Sequence, residues 1–325
     1  MKRIATLIPG LLLCAVAVAI SLFVNSRMPL LSALLVAILL GVVAGNVGLP
    51  ESTDAGLKFA AKPLLRTGIV LLGLQLVIGD ILALGAGMIA VVIAVVTLGM
   101  LSTYWVARRT GMSENQSILM GAGLSICGAA AVAAAGDAQE ADEDDVATAL
   151  AMVVLYGTIM IPLLPLLSKL FGLSTQTTGL WAGASVHEVA QVVAIGGSLG
   201  PAALSAAVVV KLARVMMLAP VMAVLAWRRR RLATDARTKL PPVIPLWVAL
   251  FIAMVAVRAL GIIPDGVLAA TKIAQTALLA AAMFALGTGV RLTIFKKVGG
   301  APLAIGAFST TIVGIVGLVG VLLAG

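Results

Sequence analysis

Residues 123–136 read GLSICGAAAVAAAG, a stretch without any charged side chain in which glycine and alanine surround Ser125 and Cys127. It forms the middle of an apolar segment at 115–135, and about 20 apolar residues suffice to cross the hydrocarbon core of a bilayer. Ten further segments of this kind lie at 6–24, 29–48, 63–80, 84–107, 146–170, 176–196, 201–226, 243–261, 267–290 and 300–323. We therefore predict an all-α polytopic membrane protein with about 11 transmembrane helices.

The composition points the same way. Hydrophobic residues make up 62% of the 325 residues and charged residues only 11%, whereas soluble domains carry roughly 25% charged residues. The 34 glycines and the scarcity of aromatic residues are typical of helices that pack closely through small side chains. The net charge of +9 lies mostly in short loops between apolar runs, which indicates orientation in a membrane and no nucleic-acid partner. The two cysteines lie inside apolar runs and imply no disulfide framework.

Loop charges predict a topology. If the N-terminus is inside and eleven segments alternate, most loop-borne basic residues, including the four arginines at 228–231, lie inside, and the acidic run at 137–145 lies outside. We predict a multi-pass protein of the bacterial cytoplasmic (inner) membrane with its C-terminus outside. It forms one integral domain, 1–325. An extra N-terminal helix (1–28) precedes a helical bundle (29–226 and 243–325) that a basic cytoplasmic loop (227–242) divides. The apolar start after Lys2 and Arg3 also allows a cleaved signal peptide.

Two internal similarities suggest repeats. Residues 73–76, GLQL, resemble 289–292, GVRL, in the third and tenth segments, which run in opposite directions in the predicted topology. Residues 183–196, GASVHEVAQVVAIG, align with 123–136, but the fifth and seventh segments run in the same direction in the predicted topology. Inverted repeats with helices broken at the midplane are common in secondary transporters. A five-plus-five repeat pairs segments 2–6 with 7–11 and predicts breaks near Ser125–Gly128 and near Gly287–Gly289. The similarity between the fifth and seventh segments does not fit this scheme, and shared glycine and alanine composition is the alternative explanation.

Ionisable groups inside apolar segments are costly and indicate function. Lys211 and Arg214 lie at the middle of segment 201–226, three residues apart and on one helical face. Two buried cations need an anion or paired carboxylates. We predict that they bind a small anion, and the alternative is a structural salt bridge to Glu188.

Other polar residues lie at the same depth. A helix broken at Ser125, Cys127 and Gly128 would present free N–H groups and a positive dipole end to an anion, and Ser185 occupies the equivalent place in the seventh segment. His187, Glu188 and Gln191 follow it, and we predict that they couple or gate transport with H+ or Na+ as coupling ion.

No enzyme signature accompanies these groups. The sequence from His187 to Gln191 lacks the second histidine of the zinc-protease motif, so neither a metal nor a cofactor is expected. Ser185 and His187 diverge on a helix and make a poor nucleophile and base. The chain has no phosphate-binding loop, which argues against ATP-driven transport by this chain alone.

The motifs SICGAAA from Ser125, GASVHEVAQVV from 183, VKLARV around Lys211, and LRTGIVLLGL from Leu65 resemble the YeiH-like family of bacterial membrane proteins. The resemblance covers nearly the whole chain in matching order. Members are described as sulfate exporters, and the family is similar to cation/proton antiporter and bile-acid symporter folds. That relation implies a scaffold, a moving core with crossed broken helices, and homodimers. The acidic residues after Ala135 depart from the family pattern.

Three functions are consistent with this pattern. The first is secondary active transport of a small anion, sulfate or a related oxyanion or organosulfonate, by alternating access. The second is cation/proton antiport with Glu188 as ion ligand, an analogy of fold alone. The third is a membrane assembly protein without transport.

Overall fold

The structure, a computed structural model, describes residues 6–28, 33–232, 246–289 and 299–324, and this part of the chain is helical without any β-strand. Backbone contacts divide the chain into two compact units. The first unit comprises Met1–Val77 and Ala249–Lys297, and the second comprises Ile78–Val248 and Val298–Gly325. The grouping of all residues into one integral domain stays a prediction.

The first unit is built from glycine-lined helices. Its α-helices are α1 (Ile8–Arg27), α2 (Ala33–Val47), α3 (Asp54–Phe59), α4 (Leu65–Leu72), α14 (Leu246–Ala259) and α15 (Asp265–Gly289), and a π-helical turn (Ala60–Leu64) joins α3 to α4. Helix α14 belongs to this unit from Ala249 onward. A Cβ placed on Gly41 of α2 would lie 2.1 Å from the Phe284 carbonyl oxygen of α15. The backbones of α2 and α15 therefore touch, as the abundance of glycine predicts.

One expected break lies at the end of α15. The helix continues through Gly287 and ends at Gly289, and 290–298 lie outside the described residues, so a break near Gly287–Gly289 stays a prediction. Glycine at 287 also serves close packing, because a Cβ on Gly287 would lie 2.4 Å from the Ile38 carbonyl oxygen.

The second unit contains the chemistry-bearing segments. Its helices are α5 (Ile78–Ala83), α6 (Gly85–Arg109), α7 (Glu114–Ala122), α8 (Ala129–Gln139), α9 (Glu143–Leu170), α10 (Thr175–Ser185), α11 (Val189–Leu199), α12 (Pro201–Met216), α13 (Leu218–Leu232) and α16 (Gly300–Ala324). A π-helical turn (Gly123–Cys127) lies between α7 and α8. The basic loop predicted at 227–242 begins as helix, since α13 ends at Leu232, and 233–242 lie outside the described residues.

Helices α7 and α8 form a fold-back hairpin, which we call the first hairpin. Arg228 of α13 pairs with Glu114 at the start of α7 at 2.5 Å, and the neighbouring Arg229 pairs with Glu140, just after α8, at 2.5 Å. Between these ends the two helices pack antiparallel. A Cβ on Gly123 would meet the Val132 side chain. Both ends of the hairpin therefore lie beside the same end of α13.

This geometry corrects the predicted topology. The segment at 115–135 was expected to cross the membrane once, which placed the acidic run at 137–145 opposite the arginines at 228–231. Because the segment folds back, the acidic residues and the arginines lie on one side, where Arg229 also donates to the Ala138 carbonyl oxygen at 2.9 Å. Length and apolarity do not distinguish a helical hairpin from a span of similar length.

Helices α10 and α11 form the second hairpin. A Cβ on Gly179 would lie 2.5 Å from the Ala203 carbonyl oxygen, and one on Gly183 would lie 2.3 Å from that of Ala207, so α10 runs alongside α12 in the same direction. Helix α11 returns to the beginning of α12, because Gly196 packs on Leu204. The second hairpin therefore opens at the Pro201 end of α12, and the segment at 176–196 is not a single span either.

The two hairpins enter the second unit from opposite ends. The first opens beside Arg228, near the end of α13, and the second opens beside Pro201, at the start of α12. A helix rises 1.5 Å per residue, so the nine residues of α7 and the eleven of α10 each reach about midway through a core of about 30 Å. Their tips therefore meet beside the last turns of α12, near the middle of the longer apolar helix Pro201–Arg231.

Six described helices are long and apolar enough to cross a membrane. They are Ile8–Arg27, Gly85–Arg109, Glu143–Leu170, Pro201–Arg231 (α12 with most of α13), Asp265–Gly289 and Gly300–Ala324. Large apolar side chains such as Leu12, Trp105 and Leu323 are exposed, which suits lipid as the surrounding solvent. The membrane-helical class is thus supported, while the count of about 11 spans is not.

Cysteine labelling tests the two hairpins. In a chain without its native cysteines, single cysteines at Ser113 and Glu140 are expected to react with a membrane-impermeant maleimide from one side, and those at Ser174 and Gly197 from the other. A membrane-permeant maleimide that labels all four positions is the control for reactivity. Labelling of Ser113 and Glu140 from opposite sides would show that this segment crosses the membrane.

Candidate functional site

The tips of the two hairpins meet at a polar centre inside the second unit. The first tip is the π-helical turn with Gly128, and the second tip is the extended stretch from Val186 to Glu188 between α10 and α11. Lys211 and Arg214 of α12 lie between the tips, and both are 0% exposed. The fold brings together the predicted residues of this layer, which are Ser125, Cys127, Gly128, Ser185, His187, Glu188, Gln191, Lys211 and Arg214.

Gly128 shapes the first tip. Its φ of 77° and ψ of −134° are accessible to glycine but not to residues with a Cβ without strain. A Cβ at this position would lie 2.4 Å from Cγ of Glu188. Glycine is therefore required here both by the backbone conformation and by the side chain of the opposite tip.

Lys211 joins the two tips through hydrogen bonds to backbone carbonyls. Its ammonium group donates to the carbonyl oxygens of Ile126 at 2.8 Å, Val186 at 2.9 Å and His187 at 2.5 Å. An ammonium group has three donors, so none remains for another ligand in this conformation. Ile126 lies at the end of the π-helical turn and Val186 directly follows α10, and the helix dipole favours a positive charge at such ends.

Arg214 repeats this arrangement one turn further along α12. Its Nε and Nη2 donate to the Ser125 carbonyl oxygen at 3.2 and 2.7 Å. Its Nη1 donates to the carbonyl oxygens of Gly183 at 3.2 Å and Val186 at 2.9 Å. We call Lys211 and Arg214 the cation pair. Among the described residues neither forms an ion pair with Glu188, so the alternative of a structural salt bridge is wrong.

Glu188 lies at the starts of the two returning helices. Its Oε1 accepts the backbone N–H of Ala129, the first residue of α8, at 3.0 Å. Its side chain also accepts the backbone N–H of Gln191 at the start of α11, while Gln191 Oε1 accepts the N–H of Glu188 at 3.1 Å. One carboxylate thus caps two helix N-termini, and both dipoles favour negative charge at this point.

His187 holds the two tips to α16. Its Nδ1 lies 2.8 Å from the Leu124 carbonyl oxygen, which can only accept, so this nitrogen carries a hydrogen. Its Nε2 lies 2.9 Å from the Thr310 hydroxyl oxygen. Both ring nitrogens therefore have partners, and a coupling role for His187 stays a prediction.

Two buried polar atoms at the tips lack a partner within the described part of the chain. They are Oγ of Ser125 and Nε2 of Gln191, and both residues are 0% exposed. Ser185, in contrast, donates to the Trp181 carbonyl oxygen at 2.6 Å. The Cys127 side chain is a free thiol that is 7% exposed. The first tip therefore carries a group that thiol reagents can label.

Sequence reasoning missed three contributors to this centre. Thr310 and Gly157, on which the Gln191 amide packs, lie in stretches without a charge or a motif, and the Ala129 N–H group belongs to a motif in which only the side chains drew attention. A sign of the paired hairpins was nevertheless present. Ser113 and Ser174 cap α7 and α10 in the same way, each accepting the N–H three residues later, at 3.0 and 3.1 Å.

This architecture defines a polytopic helical membrane protein with a charged centre between two fold-back hairpins. Residues 9–306 match the family described as conserved hypothetical protein 698. The chain is 49% identical to a UPF0324 membrane protein of Corynebacterium glutamicum (97% of this chain, 92% of the relative). It is 39% identical to the UPF0324 inner membrane protein YeiH of Escherichia coli K12 (94% and 92%) and 32% identical to a UPF0324 membrane protein of Agrobacterium fabrum (97% and 92%). The chain belongs to this UPF0324 family, which confirms the resemblance to YeiH.

Proposed function

We propose that the protein is a secondary active transporter of a small anion. The observation that carries this proposal is the position of the Glu188 carboxylate, which accepts N–H groups from the starts of both α8 and α11. Two half-helix N-termini that converge at mid-depth form a preorganised place for negative charge. By the family resemblance, the substrate is sulfate or a related oxyanion or organosulfonate.

The assignment of donors differs from the one that the sequence suggested. Carbonyl oxygens engage all three N–H donors of Lys211 and four of the five of Arg214, so in this proposal the cation pair supplies a positive field without contacting the anion. The direct donors are the N–H groups at the starts of α8 and α11, beside Cys127 and Gly128. Ser125 Oγ and Gln191 Nε2, which lack partners in the described residues, are additional polar groups at the tips.

The same geometry favours an anion over a cation. In broken-helix transporters, backbone carbonyls at half-helix ends coordinate a coupling Na+. Here the carbonyl oxygens of Ser125, Ile126, Gly183, Val186 and His187 accept from the cation pair instead. A protein cation therefore occupies the place where Na+ would bind, which argues against Glu188 as a Na+ ligand and leaves H+ as the coupling ion.

The hairpins suggest how access alternates. We propose that each hairpin with the helix after it, α7 to α9 and α10 to α13, is one half of an inverted repeat. The sequence similarity of 123–136 and 183–196 supports this pairing, which replaces the five-plus-five scheme. Movement of either hairpin would open the centre to one side of the membrane. Location in the inner membrane, the N-terminus inside and a homodimer remain parts of this proposal.

Cys127 provides a direct test. In a Cys14→Ser variant, the thiol at the first tip is the only one left, since the chain has two cysteines. Sulfate, thiosulfate or isethionate at constant ionic strength is expected to slow its reaction with N-ethylmaleimide several-fold relative to chloride. The anions that protect should be taken up by proteoliposomes in radiolabelled form. Absence of both protection and uptake for the whole panel would exclude the proposed site.

A further inference from the structure

We infer that the Glu188 carboxylate is a tethered occupant of the anion site, which must be protonated and displaced before a substrate anion binds. This inference rests on the proposed function and adds how a proton is coupled to the transport of the anion. One proton would then enter the site for each anion that replaces the carboxylate. Glu188 would be the group that makes transport depend on pH.

The geometry makes the carboxylate and a substrate oxyanion mutually exclusive. The Ala129 N–H group donates to Oε1 of Glu188 at 3.0 Å, and the Gln191 N–H group donates to the same side chain. A bound oxyanion needs these donors. Helices α8 and α11 have eleven residues each, so both carry a dipole that favours a single negative charge between them.

A second observation points to a ligand at this place. The amide of Gln191 lies at the same helix start, where its Oε1 accepts from Glu188, yet its Nε2 has no partner within the described residues although it is fully buried. A buried amide donor without an acceptor is costly. An oxyanion larger than a carboxylate would supply the missing acceptor.

The backbone around Glu188 offers a hinge for its displacement. It lies in the extended stretch between α10 and α11, with φ of −111° and ψ of 148°. Its Cγ rests on Gly128, where no side chain blocks it. Rotation about the Glu188 side-chain bonds would therefore free the donors while α8 and α11 stay in place.

Charge balance explains why a proton must accompany the exchange. Within the described residues, the charged and titratable groups at the two tips beside Glu188 are Lys211 and Arg214 on α12, the neighbouring His187, and Cys127 on the first tip. If His187 is neutral, the net charge of the cation pair together with the ionised Glu188 carboxylate is one positive charge. For a monoanion such as isethionate, uptake of one proton from water by Glu188 keeps that charge constant, whereas the dianion sulfate lowers it by one.

The test compares the wild type with Glu188→Gln, which preserves shape and one acceptor oxygen but removes the charge, and with Glu51→Gln, an exposed control. Binding of sodium sulfate and of sodium isethionate, against sodium chloride, is measured by thermal shift between pH 5 and 9. Neither anion titrates in this range. Wild type and Glu51→Gln should bind up to about tenfold more tightly per unit decrease in pH, as for one linked proton. Glu188→Gln should bind tightly at all pH values.

The contrary outcomes separate two failures. If Glu188→Gln keeps the wild-type pH dependence, or folds normally but loses binding, Glu188 is not a competing occupant and the inference falls while the proposed function stands. If neither anion stabilises any of the three proteins, the anion site itself is refuted and the inference falls with it.

Discussion

Replacing Gly128 with alanine is expected to lower the thermal unfolding temperature more than an alanine at any other glycine in the hairpins' turns. The φ of 77° and ψ of −134° impose backbone strain of about 1–3 kcal/mol on a residue with a Cβ. The Cβ would also lie 2.4 Å from Cγ of Glu188 and would push this side chain from the start of α8, at a further cost of about 1–3 kcal/mol.

Alanine substitutions at two other glycines distinguish the backbone strain from the clash with Glu188. Gly172 has a φ of 64° with nothing near the Cβ position, so Gly172→Ala should show strain alone, about 1–2 kcal/mol. Gly197 lies within α11 with open space around it, and Gly197→Ala should be neutral or stabilise by about 0.5–1 kcal/mol through helix propensity. The unfolding temperature, followed by tryptophan fluorescence, should be highest for Gly197→Ala, lower for Gly172→Ala and lowest for Gly128→Ala. Equal values for Gly172→Ala and Gly128→Ala would contradict the contact between the tips.

Replacing Lys211 with methionine should also destabilise the protein strongly. Methionine fills a similar volume but leaves the buried carbonyl oxygens of Ile126 and His187 without their donor, while that of Val186 keeps only its bond from Arg214. Each unmade hydrogen bond at a buried group costs about 1–3 kcal/mol, and relief of the buried charge offsets part of the sum. We expect a net loss of about 3 kcal/mol.

Lys169→Met is the matched control, because Lys169 is exposed at the end of α9. Both variants are compared by thermal unfolding in the same detergent. If Lys211→Met unfolds at the temperature of Lys169→Met, the cation pair does not hold the tips together. The geometry predicts in addition that loss of Lys211 increases the reactivity of Cys127, because the first tip loses one of its attachments to α12.

The polar layer could be predicted from the sequence because burial leaves few options. Lys211 and Arg214 lie too deep in an apolar helix to reach the surface, so they had to meet polar groups at the same depth. The sequence does not reveal that these groups are carbonyl oxygens, since every residue has one. It also gives no sign of which backbone N–H groups face Glu188, because this depends on the conformation of Gly128.

The hairpins could not be predicted for a different reason. The criterion for a span counts apolar residues, and the 26 residues from Glu114 to Gln139 satisfy it whether they cross or fold back. The decisive information is the pairing of Glu114 and Glu140 with adjacent arginines of α13, which are more than 80 residues away in the chain. The loop charges predicted the wrong topology for this segment, because the positive-inside pattern ignores attraction between acidic and basic residues on one side of the membrane.

The fold-back hairpins also bear on how such a protein could arise. A hairpin returns to its starting side and contributes no crossing, while the long helix after it contributes one. A segment made of one hairpin and one such helix therefore crosses the membrane an odd number of times. When the gene for such a segment is duplicated in tandem, the second copy begins on the opposite side and inserts upside down without any change of its own loop charges.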